Sequence, residues 1–88
     1  MKDCVYILAS ENCKRLYIGS STDPGKRLER HNSGGVSATR NKGPWRIVFQ
    51  QEYDDIKAAR QIEAWLKRMK SRTVLEKVIK DGVIVHRV

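Results

Sequence analysis

Two short β-forming runs lie almost end to end near the start of the chain, with only five residues between them. Cys4–Ala9 and Arg15–Ser20 are rich in β-branched, aromatic and other strand-forming side chains, while Ser10–Lys14 is polar and turn-like. A parallel pair needs a crossover of about a dozen residues or more. The two runs therefore predict an antiparallel hairpin, and the rest of the chain must pack against it.

After the hairpin, Asp23-Pro24 announces a helix, with Asp at the N-cap and Pro at the first helical position. It should run to about Ser33 and stop at Gly34-Gly35. Residues 36–44 read as a basic loop, and Trp45–Tyr53 as a third strand. Asp54 or Asp55 caps a long helix to about Met69, and Ser71 caps a further one to about Lys80. Asp81-Gly82 reads as a turn, and Val83–Val88 alternates loosely enough to predict a short terminal strand. The order β-β-α-β-α-α predicts an α+β fold: a three-stranded antiparallel sheet flanked by helices. At 88 residues, 40% of them apolar, the expectation is a single domain over residues 1–88.

The charge narrows the partners. Eighteen Lys and Arg against ten Asp and Glu leave a formal +8, which favours a polyanion, nucleic acid before an anionic membrane. Basic residues crowd two stretches. Lys26, Arg27, Arg30, Arg40, Lys42 and Arg46 face only Glu29, and Lys67, Arg68, Lys70 and Arg72 have no acid among them. Either stretch also reads as an ordinary solvated face. No apolar run approaches the roughly 18–20 residues of a membrane span, and the N-terminal apolar stretch is too short for a secretion signal. Cys4 and Cys13 fall near opposite ends of the hairpin, too far apart for a disulfide. Free thiols in a reducing cytoplasm are expected. His31 and His86 are too distant in sequence to suggest a zinc cluster.

Four features depart from simple packing. The helix after Pro24 has one large apolar residue, Leu28, while Arg27 and His31 lie four apart on one face. It reads either as a solvated helix or as one presenting both residues to a shared polar site. In the next helix Glu63 falls at the margin of the stripe Ile56, Ala59, Ile62, Leu66 and Met69. It is either a rim residue paired with Arg60 or Lys67, or a carboxylate aimed at a cation or substrate. Tyr6 and Tyr17 are ordinary strand residues by type, but Gly19 lies on the same sheet face as Tyr17. A glycine there leaves a gap beside that phenol, large enough for a phosphate. Trp45 and Trp65 read as packing residues, with stacking on bases as the alternative.

Taken together these residues resemble the GIY-YIG nuclease superfamily, most closely its small single-domain bacterial members, and are similar to the N-terminal nuclease domain found in excinuclease ABC. Cys4-Val5-Tyr6 stands at the first motif, keeping the tyrosine but not the glycine, and Tyr17-Ile18-Gly19 is the second motif intact. Arg27, His31 and Glu63 match the helical arginine, a histidine four residues later, and the metal-binding glutamate. The resemblance covers about residues 4–79. Ser20 stands where some members have lysine, and damage-excision relatives often have tyrosine at the position of His31.

The resemblance implies a metal-dependent endonuclease that hydrolyses phosphodiester bonds, in DNA rather than RNA, with a role such as DNA repair. It implies Tyr6, Tyr17, Arg27, His31 and Glu63 as catalytic residues. Glu63 would bind one weakly held Mg²⁺ or Mn²⁺. Tyr17 would be the general base, and a tyrosine, ordinarily titrating near pH 10, needs a nearby cation for that role. Arg27 would neutralise the phosphate, His31 would touch the phosphate or Tyr17 or relay a proton, and Tyr6 would orient the water or its neighbour. Gly19, Ser20, Lys26, Arg40, Lys42 and Lys67 are the expected nucleic-acid contacts. A monomer or weak dimer is expected, with a protein partner as one source of specificity. The rival is a non-catalytic nucleic-acid-binding module of the same fold. Geometry separates the two: a nuclease gathers Tyr17, Arg27, His31 and Glu63 in one cleft, whereas a binding module leaves Glu63 turned away onto a surface lysine.

Overall fold

The computed structural model describes residues 2–12, 14–69 and 71–84. Its elements are β1 (Asp3–Ser10), β2 (Leu16–Ser21), α1 (Pro24–Asn32), β3 (Trp45–Tyr53), α2 (Ile56–Met69) and α3 (Arg72–Asp81). The expected α+β order is observed. The strands form one antiparallel sheet in the order β2-β1-β3.

The central position of β1 explains its composition. It has a neighbour on each side and helices on both faces, so Cys4 through Leu8 are all buried. A strand covered on both faces reads as a continuous apolar run rather than an alternating one. Alternate side chains then feed two cores. Val5 and Ile7 join Ile18 and Phe49 beneath Ala59, Ile62 and Leu66 of α2 and Val78 of α3. Tyr6 and Leu8 join Trp45 on the opposite face, where Leu28 of α1 closes over them. The pairing of β1 with β3 slips by one residue: Ile7 faces Phe49 but Leu8 faces Ile47, which makes Val48 a bulge.

Local capping chemistry sets the helix starts. Asp23 Oδ1 accepts the Lys26 N–H at 3.1 Å with Pro24 opening α1. Asp55, not Asp54, caps α2, accepting the Ala58 N–H at 2.7 Å. Ser71 Oγ accepts the Val74 N–H at 3.3 Å at the head of α3. This last helix runs to Asp81, one residue beyond expectation, and ends on Gly82 in the left-handed conformation.

Helix α1 corrects one expectation. It docks through Leu28 and His31, three residues apart on one face, and His31 is only 2% exposed. The imidazole takes the place of a missing apolar stripe residue. Arg27 stays on the exposed side, so the two are not presented as a pair.

The terminal strand expected over Val83–Val88 does not begin at Val83 or Ile84. Instead the Gln51 side chain holds the Ile84 backbone, accepting its N–H at 2.8 Å and donating to its carbonyl at 3.2 Å. The remainder of that segment, with His86, lies outside the described residues, as do Cys13 and Lys70. The expected separation of Cys4 from Cys13 therefore also falls outside them; Cys4 itself is a buried free thiol.

Candidate active site

The site begins at Tyr6, whose register partner across the hairpin is Gly19. The phenol lies across the glycine: a β-carbon on Gly19 would come within 2.5 Å of the Tyr6 hydroxyl oxygen. The gap expected beside Tyr17 is thus filled by Tyr6 and holds no room for a phosphate. Gly19 is buried and has no nucleic-acid contact to offer through a side chain.

The Tyr6 hydroxyl is 3.1 Å from His31 Nε2, and His31 Nδ1 is 2.8 Å from Thr39 Oγ1. Thr39 in turn donates its one hydroxyl hydrogen to the Val36 carbonyl at 3.3 Å. Its oxygen therefore accepts from Nδ1–H, which leaves Nε2 bare to accept from Tyr6. The electrostatics agree. Burial, then the charges of Arg27 and Arg30, push His31 below its ordinary value and keep it neutral. Burial, with the nearby Tyr17 and Glu63 also raising it against Arg27, pushes Tyr6 up to about 12. Tyr6 keeps its proton at neutral pH. With both Tyr6 and His31 sealed at 2% exposure, direct contact between His31 and a phosphate is excluded in this conformation.

Tyr17 is the accessible partner. It is partly exposed on edge strand β2, and its ring meets His31 edge-on with centroids 4.7 Å apart. Arg27 stands exposed on α1, close enough for its charge to act on both Tyr6 and His31. Among the described residues it has no carboxylate partner within ion-pair distance.

Glu63 approaches from the other sheet face. Ser20, opposite Val5 in the hairpin, points to that face and donates to Glu63 Oε1 at 2.6 Å. Lys67 Nζ lies 2.7 Å from Oε2 one helical turn along. Glu63 is thus paired with an exposed lysine, yet it leans onto β2 rather than away from the sheet. It is near enough for its charge to act on Tyr6 from across the sheet. Among the described residues no hydrogen bond joins Arg27 or Glu63 to either tyrosine; of the four expected groups, Tyr17 and His31 are in ring contact, and Arg27 and Glu63 stand apart from them.

The remaining expected contacts divide. Ser20 and Lys67 serve Glu63. Arg40 Nε donates to the Gly34 carbonyl at 2.9 Å and Lys42 Nζ to the Ala38 carbonyl at 3.2 Å, so both brace the loop that carries Thr39. Lys26 is exposed on α1. Trp45 is a packing residue, 5% exposed, with its indole N–H on the Thr39 carbonyl at 3.1 Å. Sequence reasoning missed Thr39 and Asn32. Asn32 clamps the start of β3, accepting the Trp45 N–H at 2.7 Å and donating to its carbonyl at 3.1 Å. Thr39 lies in an aperiodic loop, and nothing local distinguishes it from its neighbours.

A single carboxylate with one lone pair remaining on each oxygen suits a hydrated divalent ion, which needs few protein ligands. Among the described residues no group of three or more His, Cys, Asp or Glu gathers at one point, and no helix is long and apolar enough to cross a membrane.

Residues 2–77 match the family described as the GIY-YIG catalytic domain. A UPF0213 protein of Aeromonas salmonicida (strain A449) is 42% identical over 67 residues, spanning 75% of this chain and 48% of that protein. A UPF0213 protein of Streptococcus pyogenes serotype M5 (strain Manfredo) is 37% identical over 73 residues, spanning 82% and 78%. The structure-specific endonuclease subunit slx1 of Schizosaccharomyces japonicus is 40% identical over 50 residues, spanning 51% of this chain and 18% of that protein. The solution NMR structure of a UPF0213 protein from Bacillus halodurans superposes with a TM-score of 0.57 at 31% identity, covering 93% of this chain and 87% of that one.

Proposed function

This chain belongs to the GIY-YIG family, and we propose that it is a metal-dependent endonuclease hydrolysing phosphodiester bonds in nucleic acid, with DNA as its substrate. The contrast between the two tyrosines at His31 supports this most directly. Tyr6 is sealed and donates a hydrogen bond to the imidazole. Tyr17 packs on the same imidazole but opens to solvent at the sheet edge, where a substrate can reach it.

In this reading the Tyr17 phenol first gives its proton to solvent, and the phenolate then takes the proton of a water that attacks phosphorus in line with the departing oxygen. Arg27 pairs with a non-bridging phosphate oxygen, using donors that lysine cannot arrange in the same plane. Neutral His31 and Tyr6 set the position of the Tyr17 ring and take no proton themselves. Glu63 would hold one Mg²⁺ or Mn²⁺, which when bound supplies Lewis-acid neutralisation of the charge on the phosphate and the departing oxygen. Ser20 orients the carboxylate, and Lys67 competes with the cation for it. The name of the slx1 relative describes a structure-specific endonuclease subunit. Here too, selection by nucleic-acid shape, aided by a protein partner, fits a chain with little surface for reading bases.

A non-catalytic nucleic-acid-binding module is the second reading, and the Glu63–Lys67 ion pair favours it. The deciding experiment uses wild type and Glu63→Ala purified in parallel. Labelled single-stranded, duplex and branched DNA, and RNA, are incubated with and without Mg²⁺ or Mn²⁺. Metal-dependent cutting by wild type alone is the expected result. Equal cutting by both proteins means a contaminant, and salt-sensitive binding without cutting favours the module.

A further inference from the structure

A cavity of about 400 Å³ lies beside the site, between the outer edge of β2 and the junction of α2 with α3. Leu16, Leu66 and Leu75 give it an apolar floor, Lys67 and Arg72 stand at its rim, and Tyr17 belongs to both the cavity and the site. The volume falls in the range of small-molecule sites. Among the described residues no carboxylate lines it, and Glu63 and Glu76 pair with Lys67 and Arg72 from outside it.

Arg72 is the informative residue. It occupies the first turn of α3, whose first turn holds no acidic residue. A cation there opposes the helix dipole, and what it returns to the helix is only its exposed i,i+4 pair with Glu76. Its present partners are Glu76 Oε1 at 2.9 Å, in a pair with both side chains more than half exposed, and the Lys14 carbonyl. An exposed pair of that kind holds its members weakly and exchanges readily for a phosphate, which an arginine binds bidentately. An apolar floor with two cations at its rim suits a ligand that is a flat apolar ring at one end and an anion at the other.

Building on the nuclease reading, we infer that this cavity is a subsite for one unpaired nucleotide adjoining the scissile phosphate. Its base lies on Leu16 and Leu75, above the buried Leu66, and its phosphate lies between Lys67 and Arg72, displacing their Glu63 and Glu76 partners. A base inside a duplex is stacked and paired and cannot enter. The preferred substrate is therefore a single strand, or a junction with an unpaired nucleotide, rather than a closed duplex.

The test compares a fluorescent thymidine oligomer with a fully paired, blunt-ended DNA duplex, binding being measured across a range of salt in Ca²⁺ or chelator. Wild type is expected to bind the oligomer several-fold more tightly than the duplex. Arg72→Gln should weaken oligomer binding several-fold and flatten the slope of log affinity against log salt by roughly 0.7. Leu75→Ala should weaken oligomer binding and leave that slope unchanged. Circular dichroism melts verify that both variants are folded. Equal affinity for oligomer and duplex, or an Arg72→Gln variant with wild-type affinity and slope, overturns the subsite. The nuclease reading fails separately, when wild type cuts none of the metal-supplemented substrates although the subsite pattern holds. Absence of binding to either probe overturns the subsite and the nuclease reading together.

Discussion

The α-carbon of Gly19 lies so close to the Tyr6 phenol that an added β-carbon would fall 2.5 Å from the hydroxyl oxygen and 2.6 Å from Cζ. The phenol is 2% exposed and tied to His31, so it has nowhere to retreat. Gly19→Ala should cost about 1–3 kcal/mol, as overpacking does, and lower the melting temperature by about 4–8 °C for each kcal/mol. Cleavage should fall with it, because Tyr6 and the His31 ring that carries Tyr17 both shift. Thermal unfolding and an assay on one sample check the two effects. A Gly19→Ala protein with wild-type melting would mean that the phenol moves aside easily.

Thr39, itself only 1% exposed, should prove indispensable to the buried relay. Thr39→Val keeps the shape and deletes the acceptor for His31 Nδ1–H, leaving a buried donor unpaired at about 1–3 kcal/mol. Nitrogen chemical shifts should place the wild-type proton on Nδ1 and show a mixed or reversed tautomer in the variant. Thr39→Ser should restore the wild-type signature.

Stability should fall at both ends of the pH scale, for opposite reasons. His31 is held below its ordinary value, so below about pH 6.5 the unfolded chain binds a proton that the folded one refuses. Its contribution is present above that value and is lost as pH falls, by at most about 1.4 kcal/mol per pH unit. Tyr6 is raised to about 12, so above about pH 10 the unfolded chain releases a proton that the folded one keeps. That contribution is present below pH 10 and declines toward pH 12. Urea unfolding across pH should show both slopes, with Tyr6→Phe flattening the alkaline one. An unchanged alkaline slope in that variant would remove Tyr6 as its source.

Metal dependence should trace to Glu63 and, through it, to Ser20. Glu63→Gln is expected to lower cleavage by about a hundredfold or more while nucleic-acid binding persists. Ser20→Ala leaves the carboxylate in place but removes its 2.6 Å donor, and a loss of about tenfold in metal affinity or activity is the usual effect of such a change. Chelation should abolish cleavage by wild type and leave the residual rate of Glu63→Gln unaltered. Activity titrated against Mn²⁺ separates affinity from rate.

Much of the fold follows from local chemistry and was legible in the residues themselves. Five residues between two strands force an antiparallel hairpin. Asp23-Pro24 starts α1, Ser71 starts α3, and Trp45–Tyr53 has the composition of a strand and is one. The margin position of Glu63 on α2 already marked it as unusual, and it is neither fully buried nor fully solvated, with its side chain 20% exposed. Each of these readings depends on neighbours within a few residues, where propensity, capping and periodicity act.

The sequence by itself thus determined the elements, their order and the residue types available for chemistry. The tertiary structure decided who meets whom. Strand order put β2 at an edge, with Tyr17 on one of its faces and the Ser20–Glu63 contact on the other. Register put Tyr6 rather than a phosphate against Gly19. Docking of α1 through His31 made that histidine a buried neutral link instead of a solvent-facing one, and loop packing supplied Thr39 as its acceptor. These pairings join residues 8 to 43 positions apart. Packing and hydrogen-bond satisfaction across the whole domain select them, and no local propensity encodes that selection.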